Sequence, residues 1–166
     1  TYSLQTTDDL AKVCSHALDG VDCDPPDTVV VVADATNLRR NLAIVNEVLH
    51  HDIRCVVVLS MADIAQKSGL TIDCEKLGAH LGCSVVRVNA RSGAGIDALH
   101  SVLDSPYKAA VALPEVGKFK EVNAWANEII ADSVGGKLAV SGGTLTDRLD
   151  KVCTHSVLGV IVFAAV

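Results

Sequence analysis

Three runs of β-branched and aliphatic residues alternate with helical patterns along this chain, and that alternation restricts the fold more than any other feature. The runs occupy residues 28–33, 54–59 and 84–88, and read TVVVVA, RCVVVL and SVVRV. The first run is continuous, which is typical of a strand that is covered on both faces, and the other two also read as buried parallel strands. Helices between consecutive strands imply right-handed crossovers and a parallel sheet. We therefore predict an α/β fold with crossover helices.

Helical segments are predicted between and after these strands from their apolar spacing and from their start and stop signals. The predicted helices cover residues 8–18, 38–49 (capped by Asn37), 61–67, 73–81 (ended by Gly82), 96–103 and 122–130. Residues 106–118 read as a linker, and the glycine-rich stretch 135–143 reads as flexible. Thr144 resembles the start of a last helix. The chain thus divides into an α/β part over residues 1–104, a linker with a short helical segment over 105–143, and a terminal segment over 144–166.

Composition excludes several classes of protein. The 166 residues are 49% hydrophobic and only 3% aromatic, and the formal net charge of −6 argues against a nucleic-acid-binding protein. The six cysteines form no C-x-x-C pair. We interpret them as reduced thiols that fill space in the core, with a metal site at Cys14/His16 or His80/Cys83 as the weaker alternative.

The two ends of the sequence suggest a segment of a longer protein. The chain opens at Thr1 without an initiator Met or a signal peptide, and it closes on the apolar run SVLGVIVFAAV over residues 156–166. A membrane span needs about 20 apolar residues. We read the run either as a buried element or as the first half of a span.

Two loops follow the second and third predicted strands and are the best candidates for a binding site. Ser60-Met61-Ala62-Asp63 follows the second strand, and Asn89-Ala90-Arg91-Ser92-Gly93 follows the third. Ligands of open α/β sheets bind at the carboxyl ends of the strands. A carboxylate such as that of Asp63 can accept two parallel hydrogen bonds from the N1–H and 2-amino groups of guanine, which adenine does not offer.

Simpler interpretations exist for each of these segments. Asp63 could only cap the turn before Ile64, and residues 90–93 could be an ordinary strand-to-helix loop rather than a source of backbone donors for a base. In the segment from Asp34 to Asn37, we favour helix capping by Asn37 over a functional role. Gly136-Lys137 is not a phosphate-binding loop, because position 131 is Ala and position 138 is Leu where that motif needs Gly and Ser or Thr.

Several ordered segments resemble the ferrous iron transport protein B family (FeoB), whose members are bacterial membrane proteins with an N-terminal cytosolic G domain. The segments are TYSL at the start, VVVADATNLRRNL, VVVLSMADIA, LGCSVVRVNARSGAGIDAL and, near the end, DRLDKVCTHSVLGVIVF. The last of these is similar to the family's juxtamembrane helix and its entry into the first transmembrane helix. The resemblance thus runs through most of the chain and implies a partial P-loop-GTPase-like sheet followed by a short helical segment.

Roles for individual residues follow from the resemblance. Asp63 matches the residue that reads the base, Ala90 the backbone donor to the guanine oxygen, and Ser60, Met61, Asn89 and Arg91 the remainder of the base site. Ser60 departs from the Asn that is usual in the family. The segment Thr1, Tyr2, Ser3 and Leu4 matches part of switch II. The phosphate loop, switch I and the D-x-P-G motif of the family have no counterpart in these 166 residues.

The function implied is that of the cytosolic GTP-binding portion of a ferrous iron (Fe²⁺) uptake transporter, at the cytoplasmic face of the bacterial inner membrane. The implied ligands are GTP or GDP, with Mg²⁺ in the intact parent, and Fe²⁺ is the transported ion. The implied partners are the rest of the same transporter and the membrane, and a homo-oligomer with a second copy stays an open option. We expect no catalytic residue and no hydrolysis from these residues alone. Two alternatives remain: a degenerate G-like domain that acts as a non-hydrolysing adaptor on a membrane protein, and a flavodoxin-like or receiver-like domain.

Overall fold

The computed structural model describes Leu4 and residues 9–21, 23–104 and 108–136. The helices are α1 (Asp9–Asp19), α2 (Leu38–Leu49), α3 (Ala62–Lys67), α4 (Cys74–Leu81), α5 (Ile96–Asp104) and α6 (Phe119–Ser133), with a 3₁₀ turn over Ala35–Asn37. The strands are β1 (Thr28–Asp34), β2 (Arg54–Ser60), β3 (Thr71–Ile72), β4 (Ser84–Arg87) and β5 (Val134–Gly135). The described residues fall in one compact unit, while residues 137–166 form a second unit that lies outside them. The predicted last helix and apolar tail belong to that second unit.

The central sheet has three parallel strands in the order β1-β2-β4. Thr28 to Asp34 pair in register with Arg54 to Ser60, and Val56 to Leu59 pair with Ser84 to Arg87. The predicted α/β fold with a parallel sheet and crossover helices is confirmed. Because the strands are parallel, the loops that follow Ser60 and Arg87 leave the same edge of the sheet.

The main core lies on one face of this sheet. Val31 and Ala33 of β1, and Cys55, Val57 and Leu59 of β2, point to that face and are buried. The helices α2, α4 and α6 cover it with their apolar stripes, which contribute Leu38, Leu42, Val45, Val48, Leu77, Leu81, Ala126 and Ile129. Each stripe recurs at helical spacing, so the burial of these side chains follows from the sequence pattern.

The opposite face of the sheet is covered only in part. Helix α5 contacts β2 and β4, and Val56 and Val58 of β2 are buried. On β1, however, Val30 is 39% exposed and Val32 is 62% exposed. The expectation that β1 is covered on both faces is therefore wrong for the described residues, because no described helix packs over this side of β1.

Helix α1 leaves part of its apolar surface exposed. Leu10 is 68% exposed and Val13 is 66% exposed. The buried residue is Ala11, and Leu18 packs against the core. The side of the helix that carries Ala11 and Leu18 therefore faces the core, about 90° from the side that carries Leu10.

Helix capping was predicted correctly for α4 and incorrectly for α2. The carboxylate of Asp73 accepts hydrogen bonds from the backbone N–H groups of Glu75 and Lys76, and Gly82 ends α4 in the left-handed region at φ 65°. Asn37 precedes α2 but makes no side-chain capping bond. Instead, Asp34 accepts hydrogen bonds from the N–H and hydroxyl of Thr36, and the intervening 3₁₀ turn shifts the cap to this earlier residue.

A second, two-stranded sheet was not predicted. Ile72 pairs with Val134 and Thr71 pairs with Gly135 in antiparallel register, so Gly135 is part of a strand rather than of a flexible stretch. Strands of two residues carry no periodicity that a sequence could reveal. This pairing joins the end of α6 to the segment between α3 and α4.

Candidate functional site

The site begins where β2 ends. Ser60 lies opposite Asp34 of β1, and its hydroxyl donates to the carbonyl oxygen of Ala33 at 3.2 Å. Met61 follows with φ 55° and ψ 23°, in the left-handed region that a residue with a side chain rarely adopts. This conformation turns the chain from the strand directly into α3. Backbone strain of this kind is frequent at functional sites, and the Met61 side chain is half exposed.

Asp63 lies in the first turn of α3 and is exposed. Helix α3 starts from Met61, and no side-chain hydrogen bond caps it. Asp63 is therefore inside the helix rather than at its cap, and no hydrogen bond to its carboxylate exists among the described residues. The carboxylate is thus available to a ligand at this edge of the sheet. Its position near the helix N-terminus also suits a negative charge.

Asn89 organises the loop after β4. Its side-chain oxygen accepts the N–H groups of Arg91 at 3.1 Å and Ser92 at 3.2 Å. Its own N–H donates to the Ala94 carbonyl, and its carbonyl accepts from Gly93, both at 2.9 Å. These four bonds hold the loop in one conformation. Sequence reasoning placed Asn89 at the site, but its loop-building role became evident only from the structure.

Ala90 differs from its neighbours in this loop. Its N–H has no hydrogen-bond partner among the described residues, whereas those of Asn89, Arg91, Ser92 and Gly93 are all engaged. Ala90 and Arg91 are both exposed. The other N–H groups thus form hydrogen bonds within the loop, and the N–H of Ala90 is left as an exposed donor. An exposed donor after one strand and an exposed carboxylate after the neighbouring strand are the types of group that bind a heterocycle carrying a carbonyl and an amino group.

A cavity of about 300 Å³ joins the two loops. Asp63 and Asn89 both line it, so the structure brings these two candidates together. Ser60, Met61, Ala90 and Arg91 are not among its lining residues; they lie beside it at the strand ends. The other lining residues come from α3, β3 and the end of β4, and are Ala62, Ala65, Gln66, Leu70, Thr71, Ile72, Arg87, Val88, Ala94 and Gly95.

Arg87 is a residue of this cavity that the sequence analysis missed. Its guanidinium donates to the backbone carbonyl of Ile72, and so ties the end of β4 to β3. It also lies beside Cys74, whose thiol has a raised pKa because of burial, an effect that Arg87 partly offsets. No sequence signal marks this contact, because it depends on the short β3 strand. Arg87 fixes one wall of the cavity.

The switch II candidates lie mostly outside the described residues. Thr1, Tyr2 and Ser3 are not described. Leu4 is, and its backbone N–H donates to the carboxylate of Glu47 in α2. Of the segment with a switch II resemblance, Leu4 thus contacts α2.

The described residues contain no group of three or more His, Cys, Asp or Glu side chains that could hold a metal ion. His80, one of the weaker metal candidates, instead bonds to Asp132 at 3.0 Å. Within the same residues, none of the helices is both long enough and apolar enough to cross a bilayer.

Comparison with known proteins gives a family match. A family model described as ferrous iron transport protein B matches residues 1–103. The Fe(2+) transporter FeoB of Escherichia coli K12 is 39% identical over 109 residues, which are 66% of this chain and 14% of that protein. FeoB of Salmonella typhimurium is 39% identical over 104 residues, or 63% of this chain and 13% of that protein. The chain therefore spans about one seventh of the length of these relatives.

Solved structures agree with the fold. The cytosolic domain of the T. maritima FeoB iron transporter in its apo form superposes with a TM-score of 0.69 at 18% identity, covering 81% of this chain and 77% of that one. The FeoB G-domain from Methanococcus jannaschii gives a TM-score of 0.58 at 29% identity, covering 63% of this chain and 65% of that one. The cytosolic domain of L. pneumophila FeoB gives 0.59 at 28% identity, covering 91% and 64% respectively.

Proposed function

This chain belongs to the ferrous iron transport protein B family, and we propose that it supplies the guanine-reading part of the cytosolic GTP-binding domain in a ferrous iron transporter. One observation carries the proposal. The carboxylate of Asp63, in the first turn of α3, and the N–H of Ala90, in the loop after β4, are unbonded among the described residues and follow adjacent parallel strands at the same end of the sheet. Solved structures of family members include a GDP-bound and a GMPPNP-bound cytosolic domain.

The chemistry of guanine fits these two groups. The ionised Asp63 side chain accepts the base N1–H and 2-amino protons, and the Ala90 N–H donates to the base carbonyl oxygen. Adenine presents an acceptor at N1 and an amino group in place of that oxygen, so it leaves both protein groups unpaired. Unpaired buried or half-buried polar groups cost about 1–3 kcal/mol each. The pair therefore sets the choice of base.

Two neighbours support this recognition. The flexible, apolar side chain of Met61 is half exposed and lies next to Asp63, where it can cover one face of a planar base. Asn89 holds the opposing loop in a fixed conformation through its side-chain bonds to Arg91 and Ser92. A preformed site loses less entropy on binding than a mobile one.

Phosphate binding and hydrolysis are not proposed for these residues alone. The sequence contains no G-x-x-x-x-G-K-[ST] motif, and the described residues hold no cluster suited to Mg²⁺. The part of the chain that the structure describes therefore does not by itself fit a magnesium ion. Phosphoryl transfer depends on groups that cradle and neutralise the phosphates. We expect these residues to read the base while other parts of the parent hold the phosphates.

In the parent protein, nucleotide state would be coupled to Fe²⁺ transport. We place the domain at the cytoplasmic face of the inner membrane, with the rest of the transporter and the membrane as its partners. Leu4, at the end of the segment that resembles switch II, contacts Glu47 of α2, and α2 packs against α6. A movement of switch II would therefore reach α6 through packed elements, which supports a route from the nucleotide toward the following residues.

The test replaces the carboxylate of Asp63, the proposed base-reading group, with an amide. Saturation-transfer NMR with guanosine, xanthosine and adenosine 5′-monophosphates measures base binding by the 166-residue chain. The wild type should bind the guanosine nucleotide in preference to the other two. Asp63→Asn should lower the affinity for the guanosine nucleotide about tenfold or more. It should raise the affinity for the xanthosine nucleotide, because the Asn amide can donate to the 2-carbonyl of xanthine.

The matched control is Asp97→Asn, which removes an exposed carboxylate from the first turn of α5 and should leave the preference unchanged. Equal binding of all three nucleotides by the wild type, or a preference that Asp63→Asn does not alter, would contradict the proposal.

The alternative function is a degenerate G-like domain that acts as a non-hydrolysing adaptor on a membrane protein. One observation favours it: the Ser60 hydroxyl, at the position where the family usually has Asn, is bonded to the Ala33 carbonyl. A GTP-hydrolysis assay separates the two functions. Turnover by the full-length parent supports the GTPase, and absence of turnover there supports the adaptor. Turnover by the 166 residues alone would contradict our expectation that they are inactive.

A further inference from the structure

Two buried cysteines lie side by side at the edge of the sheet remote from the base-reading loops. Val56 of β2 pairs with Ser84 of β4, so the preceding residues, Cys55 and Cys83, are neighbours at the amino ends of adjacent strands. Adjacent strands are about 4.8 Å apart, and a disulfide spans Cα atoms about 4.4–6.8 Å apart. Each cysteine is only 1% exposed. The backbone thus already places them at a distance that a disulfide can bridge.

The two thiols are also in direct contact. Each takes part in a side-chain hydrogen bond with the other, which lowers the pKa of Cys55 and, together with burial, raises the pKa of Cys83. The direction of the two shifts makes Cys55 the thiol of the pair that more readily becomes a nucleophile.

We propose that Cys55 and Cys83 form a reversible dithiol–disulfide site whose oxidant is a small-molecule disulfide. The Cys55 thiolate attacks one sulfur of the small disulfide, forms a mixed disulfide and releases one thiolate. Cys83 then loses its proton and attacks the Cys55 sulfur, which closes the protein disulfide and releases the second thiolate. Two protein S–H bonds and the S–S bond of the small disulfide are broken. One protein S–S bond forms, and the two protons end on the two released thiols.

A short segment pairs with Cys83 at this end of the sheet. Lys108 pairs with Cys83 in an isolated antiparallel β-bridge, and the Ala109 N–H donates to the Gly82 carbonyl at 2.8 Å. The Lys108 ammonium holds this strap, residues 108–109, in place through the Asp52 side chain at 2.6 Å and the Asp52 backbone carbonyl at 2.5 Å. Lifting the strap exposes the amino ends of β2 and β4. Local opening of such edges is less costly than global unfolding.

The disulfide would stabilise the sheet without blocking the base site. Cys55 lies near the amino end of β2, and Cys83 lies just before β4. Asp63 and Ala90 lie beyond the carboxyl ends of the same two strands. At about 3.3 Å per residue, four to five residues separate the two regions by about 15 Å. Closing the 29-residue loop from Cys55 to Cys83 should raise the thermal midpoint by at least about 5 °C. The disulfide would thus form when small-molecule disulfides are present, and its formation is independent of the proposed base recognition.

The test incubates the folded 166-residue chain with oxidised glutathione, alkylates free thiols and maps unreduced peptides by mass spectrometry. To remove competing thiols, the variant Cys14→Ser/Cys23→Ser/Cys74→Ser/Cys153→Ser is treated in parallel. The expected product is a Cys55–Cys83 linked peptide in both proteins, reversed by dithiothreitol, together with the higher thermal midpoint. Lys108→Ala should speed its formation about tenfold, since it removes the bonds that hold the strap. Lys118→Ala, which breaks an exposed ion pair with Glu115, is the matched control and should leave the rate unchanged.

Two results would overturn the proposal. The first is that Cys55 and Cys83 both stay alkylatable in the wild type and in Lys108→Ala while the exposed Cys14 of the wild type forms a mixed disulfide. The second is that a glutathione adduct persists on one of the two cysteines without passing to a linked peptide. A linked peptide that forms at the same rate in Lys108→Ala would overturn the role of the strap.

Discussion

Two glycines in the loop after β4 show how single residues shape the candidate site. Gly93 and Gly95 both have positive φ, at 77° and 87°. A Cβ atom at Gly93 would meet no heavy atom within 4 Å, whereas one at Gly95 would lie 1.9 Å from the Arg87 carbonyl oxygen. Gly95 therefore allows the loop to return against the end of β4, and Gly93 supplies only backbone freedom.

This pair gives a prediction with a built-in control. Gly93→Ala should cost about 1 kcal/mol of folding free energy, the price of a side chain in the left-handed region. Gly95→Ala adds a clash with backbone and should cost at least about 2 kcal/mol more, while also displacing the loop that carries Ala90. Urea unfolding of both variants measures the difference. Equal free energies of unfolding would show that the close approach at Gly95 is not required.

At the scale of elements, the end of α6 is held to α4 and β3 by several independent contacts. The Asp73 N–H donates to the Ser133 carbonyl at 2.8 Å. The Asp132 carboxylate contacts His80 at 3.0 Å and Lys76 at 3.4 Å. The hydrogen bond from His80, followed by that from Lys76, lowers the pKa of Asp132. These contacts fix the element from which the chain continues toward residue 137.

The lowered pKa of Asp132 gives this contact a pH dependence with a definite sign. A carboxyl whose pKa is lower in the folded state stabilises the fold above its unfolded-state pKa, and this contribution is lost as pH falls through the folded-state value. We expect amide protection at the end of α6 to be retained at neutral pH and to fall below about pH 4. Hydrogen-exchange mass spectrometry at neutral pH and below about pH 4 measures this protection.

Asp132→Asn should lower this protection at neutral pH and flatten its dependence on pH. Glu128→Gln, on the same helix, serves as the control and should behave as the wild type does. A wild-type protection profile that is unchanged between neutral and acid pH would rule out a contribution from the Asp132 cluster.

At the scale of the whole molecule, the open side of β1 is the main departure from an ordinary α/β domain. Val30 and Val32 are exposed on it, although their run of β-branched residues is typical of a strand buried on both faces. The chain covers 65% of the M. jannaschii G-domain, so a third of that domain has no counterpart here. We expect more of the same domain to cover this side of β1 in the parent.

The corresponding prediction compares one substitution in two proteins. Val32→Lys should change the stability of the 166-residue chain by less than about 0.5 kcal/mol, because the side chain is already 62% exposed. In the full-length parent the same change should cost about 3 kcal/mol or more, since it would bury an unpaired charge. Thermal unfolding of the 166-residue chain and of the parent's cytosolic domain, each with and without the substitution, measures the two changes in stability. A neutral effect in the parent would show that β1 stays open there.

The order of the main elements and the positions of the site loops follow from local sequence patterns. The β-branched runs that became β1, β2 and β4 and the apolar stripes of α2 and α4 set their own structure through local periodicity. Asp63 and Ala90 followed from their places after two strands. These features could be predicted because a residue's period, propensity and distance from a strand end are local properties.

Which surfaces meet depends on the packing of the folded chain. The β3–β5 pairing, the Arg87 contact with Ile72, the Cys55–Cys83 neighbours and the transfer of the cap from Asn37 to Asp34 all depend on groups that the fold brings together or turns aside. Exposure of Val32 and Leu10 likewise depends on what covers a face and not on the residues within it. Contacts between distant segments are set by the packing of the whole domain, so neither the wall of the cavity nor the freedom of the Ala90 N–H could be derived from periodicity.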